Sequence, residues 1–494
     1  MWSALRRHAG DEPASRPPRS SERLRIPQPL IKTRLPSGRG ATEQPNVTSD
    51  GDTALSPMFW MVLLATGVAA GLFGDLLMYV LFSVEHLAFG FRAGPLEDGV
   101  RHASDLRRLV SPLIAGLVGG VGWYLLRRYT RGEKSEIDDS IWNGDGRLSF
   151  RRSFGTALIS EVVIGMGASL GREAAPKLMG GVSASLLATW ARLSTGQRRL
   201  LVACGGGAGL AAVYNVPLAG ALFTAEVMIG TLALPVVLPA LACTGVATAV
   251  AWIYLPAHAT YLDIPAYRFT LPLLVWSLLA GPVIGVIAAG YIRLIGWVSF
   301  YRFTGWRSIP AMVVAFGVLG LIGFAYPQLF GNGRDMANQA FLGVGGFGVL
   351  LVLFVLKPLV TALCLGSGAT GGLFTPTLST GAAFGGAFGI AWGLLWPGSP
   401  SGAYALVGAA AMLGAAMQAP LASLALILEL THSGFQIMVP MLAATVTATI
   451  VSRYIDGYSI YSARLPPQRG GPSRRGRPPG RLEPQRDTDG LDTA

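Results

Sequence analysis

"AAVYNVPLAGALFTAE" (residues 211–226) and "GAAMQAPLASLALILE" (residues 414–429) decide how this chain folds. Pro217 aligns with Pro420, and in each copy a glutamate stands nine residues after the proline, Glu226 and Glu429. Upstream, "GREAAP" (171–176) corresponds to "GGLFTP" (371–376). Both comparisons have an offset of about 200 residues. Two matches at nearly one offset argue for a duplicated unit over chance likeness between Ala/Gly-rich helices. Spacing does not fix whether the copies are inverted.

The surrounding sequence places this unit in a membrane. Of 494 residues, 51% are hydrophobic and 13% charged, about half the charge of a soluble domain. Apolar runs follow one another from near residue 57 to near residue 454. Several are too short for the roughly 20 residues a crossing needs. The 65 glycines and 32 prolines interrupt many of them. Broken helices survive at membrane depth only where protein or a water-filled cavity surrounds them, so a transporter or channel interior is expected.

The net charge of +12 is not read as nucleic-acid binding. Basic residues gather in the tails and in loops: Arg127, Arg128, Arg131 and Lys134; Arg147, Arg151 and Arg152; Arg192, Arg198 and Arg199. That is the positive-inside pattern, and it predicts an inner (plasma) membrane protein with both termini cytoplasmic. Cys204, Cys243 and Cys364 lie in apolar runs and read as small buried hydrophobes. Residues 1–54 and 466–494, rich in Arg, Pro and Ser, read as disordered tails. They flank a transport domain spanning 55–465.

Within that domain, "GASLGREAAP" and "GSGATGGLFTP" read as helix starts. Each has glycines, then a proline that tolerates a first turn, then a helix-forming run. The first amides of a helix lack partners within it and, with the dipole, attract anions. Two such starts aimed at one point hold an anion without a full positive charge, so it can also leave. The alternative is that these glycines only allow close helix packing. Glu173 stands at the first start, where a carboxylate mimics the anion: ionised it blocks the site, and protonated or swung aside it opens it. A capping role or an Arg172 partner is the plainer alternative. Lys177, one turn on, is expected to approach Glu173 and raise the local potential for anions, or else to snorkel to an interface.

These motifs, with the terminal "IYSARL", resemble the CLC family of chloride channels and proton/chloride exchangers over nearly all of residues 57–465. The resemblance implies an all-α polytopic fold of about 18 tilted and broken helices in two inverted-topology repeats, as a homodimer with one pore per subunit. It implies that Glu173 is the external gate, and that the backbone amides at Gly372, Leu373 and Phe374 hold the anion. Gly171 and Arg172 are further anion contacts, and the Tyr461 hydroxyl faces the central ion. The sequence departs from the family's pattern in three places. "RGEKSEI" (131–137) replaces the usual serine motif, which puts Gly132 at the serine. Val227 stands where proton-coupled members carry an internal glutamate, with Glu226 as the only nearby acid. Ala174 and Ala175 replace Gly-Pro and shift the proline to Pro176.

The expected activity is therefore passage of chloride, or a similar small anion, through a Glu173-gated pore, channel-like or weakly proton-coupled. A proton/chloride antiporter using another internal route is the alternative. An intramembrane enzyme would need a nucleophile with a base, or a metal set. The five histidines have no helical spacing to one another or to a cysteine. A cation transporter would need core carboxylates, for which Glu226 and Glu429 are the candidates. No cofactor is expected.

Overall fold

A computed structural model of the chain describes residues 55–92, 94–133 and 135–465. Both expected tails, and Lys134, lie outside the described residues. Seventeen α-helices occur among them, with short 3₁₀ turns and one π-helical turn, against the expected 18. The first half holds α1 (Pro57–Phe89), α2 (Leu96–His102), α3 (Asp105–Tyr129) and α4 (Ile137–Trp142). Next come α5 (Phe150–Gly165), α6 (Ala174–Trp190), α7 (Thr195–Tyr214), α8 (Pro217–Phe223) and α9 (Leu234–Ala251). The second half holds α10 (Leu271–Phe300), α11 (Ser308–Ala325), α12 (Arg334–Phe341) and α13 (Phe347–Gly366). It ends with α14 (Phe374–Leu395), α15 (Ser401–Met417), α16 (Pro420–Thr431) and α17 (Met438–Ile455).

Local chemistry sets many of these boundaries. Ser56, Ser104, Ser149 and Ser194 each accept an amide hydrogen bond in the first turn of α1, α3, α5 and α7, satisfying a donor the helix cannot. Ser194 and Gln197 complete a reciprocal capping box. The two repeat copies end alike: α7 closes on Asn215 and α15 on Gln418, both left-handed, at φ 57° and 59°. A proline opens the next helix in each copy, α8 and α16.

Eight of the described helices are long and apolar enough to cross a membrane. Neither α6, α7, α15 nor α16 is among them. These inner helices are sheathed by protein, and their glycines let backbones touch. A Cβ at Gly180 of α6 would run into the Gly205 carbonyl of α7, and one at Gly381 of α14 into the Gly408 carbonyl of α15. Small residues thus serve the same close approach in both halves. The outer helices turn apolar side chains outward instead, including Leu117, Val286, Leu321 and Ile450.

The halves are related by a local two-fold. Glu429 of α16 accepts hydrogen bonds from Leu218 and Ala219 amides at the start of α8 (3.0 and 2.7 Å). Glu226, in the π-helical turn Thr224–Ile229 after α8, accepts from Leu421 and Ala422 at the start of α16 (3.4 and 2.7 Å). Each copy's glutamate therefore caps the other copy's helix, in the place where a helix N-terminus favours an anion. Glu226 thus has a structural role in the fold, shared with Glu429. Loss of one cap costs about 0.5–2 kcal/mol. Glu226→Ala and Glu429→Ala are accordingly expected to lower the thermal unfolding midpoint in detergent by similar amounts. A large fall for one and none for the other would contradict the reciprocal reading.

The basic loops gather at one end of the bundle. Arg152 bonds the Thr130 carbonyl (2.9 Å), Arg198 the Asp145 carbonyl (3.3 Å) and Arg199 the Trp142 carbonyl (3.2 Å). This links the ends of α3 and α4 to the starts of α5 and α7.

Candidate anion site

The two broken segments meet. Gly171 and Gly372 form an isolated antiparallel bridge, N–H to carbonyl at 2.8 Å one way and 2.7 Å the other. Their opposed directions and mutual bonds repeat the two-fold relation of the glutamate caps. A Cβ on either glycine would meet the Glu173 carboxylate where it now lies, so this placement of the carboxylate uses the space both glycines leave.

Glu173 sits at the N-cap of α6, and its side chain does not cap its own helix. The carboxylate crosses to the start of α14. Oε1 accepts from the Phe374 amide at 2.7 Å, and Oε2 from the Tyr214 hydroxyl at 3.3 Å. Tyr214 in turn shares a 2.7 Å hydrogen bond with Thr375 Oγ1. The residue is 4% exposed. The carboxylate oxygens here stand in for an anion: they fill the place at a helix start to which a small anion is drawn. The amide of Gly372 is committed to the bridge with Gly171, so the amide that meets the carboxylate is that of Phe374.

Arg172 turns the other way. Its guanidinium lies over the Tyr214 ring (5.0 Å) and the Phe82 ring (5.7 Å). It faces a cavity lined also by Glu85, Gln328, Arg334 and Asp335. No hydrogen bond joins it to Glu173, so it is not that carboxylate's direct partner.

One turn along α6, Lys177 reaches Asp138 in the first turn of α4, at 3.0 and 3.1 Å. The expected approach to Glu173 is not found. The Glu173 carboxylate is drawn across to α14, and the lysine is drawn to an acid 39 residues away in sequence. Its ammonium also lies 4.5 Å from the centre of the Tyr461 ring and 5.7 Å from that of Phe223. Tyr461 is held by the Ile460 amide bonding the Ala416 carbonyl (2.9 Å), and its hydroxyl has only Met417 Sδ at 4.0 Å. Sulfur is a weak acceptor, so this donor remains available to an anion.

Gly132 is elsewhere. It is exposed, at φ 83° in the turn after α3, and a Cβ there would meet nothing. The segment that carries it reaches the site through Asp138 instead. Two further residues escaped the sequence reading. Tyr214, the last residue of an otherwise small-residue helix, was visible only as an odd aromatic. Lys357, buried mid-way in α13, bonds Ser169 Oγ (2.9 Å) and the Leu329 and Gly331 carbonyls (3.3 and 2.9 Å). It fixes the loop that leads into Gly171.

The family model described as voltage gated chloride channel matches residues 115–453. The chain belongs to the CLC family. A putative ClcB-like chloride channel protein of Ralstonia nicotianae is 32% identical over 371 residues, covering 72% of this chain and 85% of the relative. The voltage-gated ClC-type chloride channel ClcB of Salmonella typhimurium is 31% identical over 422 residues, covering 82% and 98%. Among solved structures, a slow cyanobacterial Cl⁻/H⁺ antiporter superposes with a TM-score of 0.73 at 24% identity, covering 83% of this chain and 97% of that one. A CLC-type fluoride/proton antiporter superposes with a TM-score of 0.66 at 22% identity, covering 82% and 97%. These two likenesses carry the fold. A multi-pass CLC membrane protein of this kind is a channel or transporter, not an enzyme.

Proposed function

We propose that this chain moves chloride, or a similar small anion, across the inner membrane of a cell through a path gated by Glu173. The observation that carries this reading is the Glu173 carboxylate on the Phe374 amide, a built-in anion in the anion's place. Displacement of that carboxylate frees the amide for chloride. Tyr461 and the Lys177 ammonium over its ring then supply donors one turn along α6. The protein works as a homodimer with one path per subunit, as the family does, and its basic end and termini face the cytoplasm. Val227, a buried apolar residue in place of an internal acid, favours channel-like or weakly coupled flow.

Proton/anion antiport is the second reading. It is favoured by Glu161, a fully buried carboxylate on α5 with no hydrogen-bond partner among the described residues. Reconstitution into chloride-loaded liposomes, read by chloride and pH electrodes together, tests both. Chloride efflux with little proton movement supports the first reading, and uphill proton movement driven by the chloride gradient supports the second. Absence of anion flux contradicts both.

A further inference from the structure

The end of α3 carries basic residues that the anion path does not use. A cavity of about 370 Å³ opens there, lined by Tyr124, Arg127, Arg128 and Arg131 and by Gly305 of the 3₁₀ turn Gly305–Arg307. Its walls are held in place. Arg127 Nη2 donates to the Gly368 carbonyl (3.2 Å) and to Thr370 Oγ1 (3.4 Å), and Arg128 Nη1 to the Tyr124 hydroxyl (3.2 Å). The Phe303 amide bonds the Gly366 carbonyl at 3.0 Å, which fixes the segment before Gly305 against the end of α13. Gly305 is left-handed at φ 64°, and a Cβ there would meet nothing, so this wall leaves open space.

Positive charge in this cavity is unmatched. Among the described residues, no acidic side chain forms an ion pair with Arg127, Arg128 or Arg131. Arg152 and Arg302 add to the positive charge at Arg127, and Glu136 opposes it without pairing. Other acids on the same loop are engaged elsewhere: Asp138 holds Lys177, and Glu133 accepts from Ser149. Guanidinium groups bind phosphate oxygens through parallel hydrogen bonds. The surroundings set the depth in the membrane. Tyr129 on α3 and Tyr301, Phe303 and Trp306 beside Gly305 are all exposed, as aromatic residues are where a bilayer meets water. From Tyr124 the same stripe of α3 runs inward through Val121 and Leu117, both exposed. Leu117 to Arg128 spans about 16 Å at 1.5 Å per residue, close to half of a hydrocarbon core of about 30 Å. The cavity is thus continuous with an apolar track one leaflet deep.

We propose that this cavity binds the headgroup of an anionic phospholipid, with its phosphate among Arg127, Arg128 and Arg131 and one acyl chain along Val121 and Leu117. A free phosphate or other soluble oxyanion satisfies the arginines alone and leaves the apolar track to bulk lipid. A zwitterionic lipid fills the track but brings its own ammonium to three guanidinium groups. An anionic lipid matches both parts. Because Arg127 also holds Gly368 and Thr370, the lipid sits against the segment that leads into α14. Lipid binding here needs neither Glu173 nor anion flux.

The test uses the full chain purified in detergent, with added phosphatidylglycerol, with phosphatidylcholine of the same acyl chains, or with inorganic phosphate. Native mass spectrometry reads bound lipid, and the thermal midpoint confirms folding. Phosphatidylglycerol is expected to bind about tenfold or more tightly than phosphatidylcholine and to stay bound in excess phosphate. Arg128→Gln with Arg131→Gln, which leaves Arg127 and its loop contacts in place, is expected to weaken phosphatidylglycerol binding about thirtyfold. Arg128→Lys with Arg131→Lys keeps the charge and is expected to keep the preference. Arg151→Gln with Arg192→Gln removes two exposed charges from the same basic end, outside the cavity, and is expected to leave binding unchanged. Equal binding of the two lipids to the wild type, or unchanged binding in Arg128→Gln with Arg131→Gln, overturns the proposal. Equal loss in the two glutamine pairs overturns it in favour of diffuse surface charge, and displacement by phosphate overturns it in favour of a free oxyanion.

Discussion

Glu173→Ala is expected to bind chloride about ten- to a hundredfold more tightly than the wild type and to carry it at a rate that no longer depends on pH. The carboxylate competes for the Phe374 amide at 2.7 Å and the Tyr214 hydroxyl at 3.3 Å. Hydrogen bonds to a charged group contribute about 1.5–3 kcal/mol each, and every 1.4 kcal/mol is about tenfold in occupancy. Protonation weakens the wild-type carboxylate as a competitor, so wild-type flux rises as pH falls. Without the carboxylate that dependence has no source at the gate. Titration calorimetry with chloride, and liposome flux at acidic and neutral pH, measure the two effects. Unchanged affinity and an intact pH profile in Glu173→Ala would remove Glu173 from the gate.

Lys177→Met carries the second large effect, and it separates fold from conduction. Lys177 and Asp138 pair at 3.0 Å with side chains only 9% and 18% exposed. Removing one partner of a buried pair costs about 3–5 kcal/mol, because the other charge is left uncompensated. The single variant is expected to melt well below the wild type, and the double variant Lys177→Met with Asp138→Asn to recover much of that loss. Chloride flux is expected to stay about tenfold or more reduced in both, because the ammonium over the Tyr461 ring is absent. The pH profile is expected to survive, since Lys177 is bonded to Asp138 and not to Glu173. Flux that returns with stability in the double variant would make the pair structural only.

The repeat and the placing of Glu173 at a helix start were legible because they are local. Pro217 with Glu226 and Pro420 with Glu429 announce two copies by spacing, and a lone acid at a Gly-rich helix start marks Glu173 without any tertiary information. What those residues touch was not legible. Glu226 and Glu429 each bind the other copy's helix, some 200 residues away. That exchange follows from a two-fold relation which spacing cannot state. Lys177 was assigned to its helical neighbour Glu173, as i, i+4 spacing suggests. Both side chains found stronger partners on other elements, the α14 amide for one and Asp138 for the other. Gly132 lies in an exposed left-handed turn after α3, a placement that the local sequence "RGEKSEI" does not state. Glu161 and Lys357 sit inside apolar runs where a single charge carries no period, so only the packing of α5 and α13 gives them meaning.

The proposal that the Glu173 carboxylate holds an anion's place at the start of α14 predicts one density feature above all. A structure of Glu173→Ala determined in bromide, with anomalous scattering used to locate the ion, tests it most directly. Bromide within hydrogen-bonding distance of the Phe374 amide, where the Glu173 Oε1 now lies, is the predicted result. A well-ordered protein with that amide unoccupied by bromide and the ion bound elsewhere would contradict it.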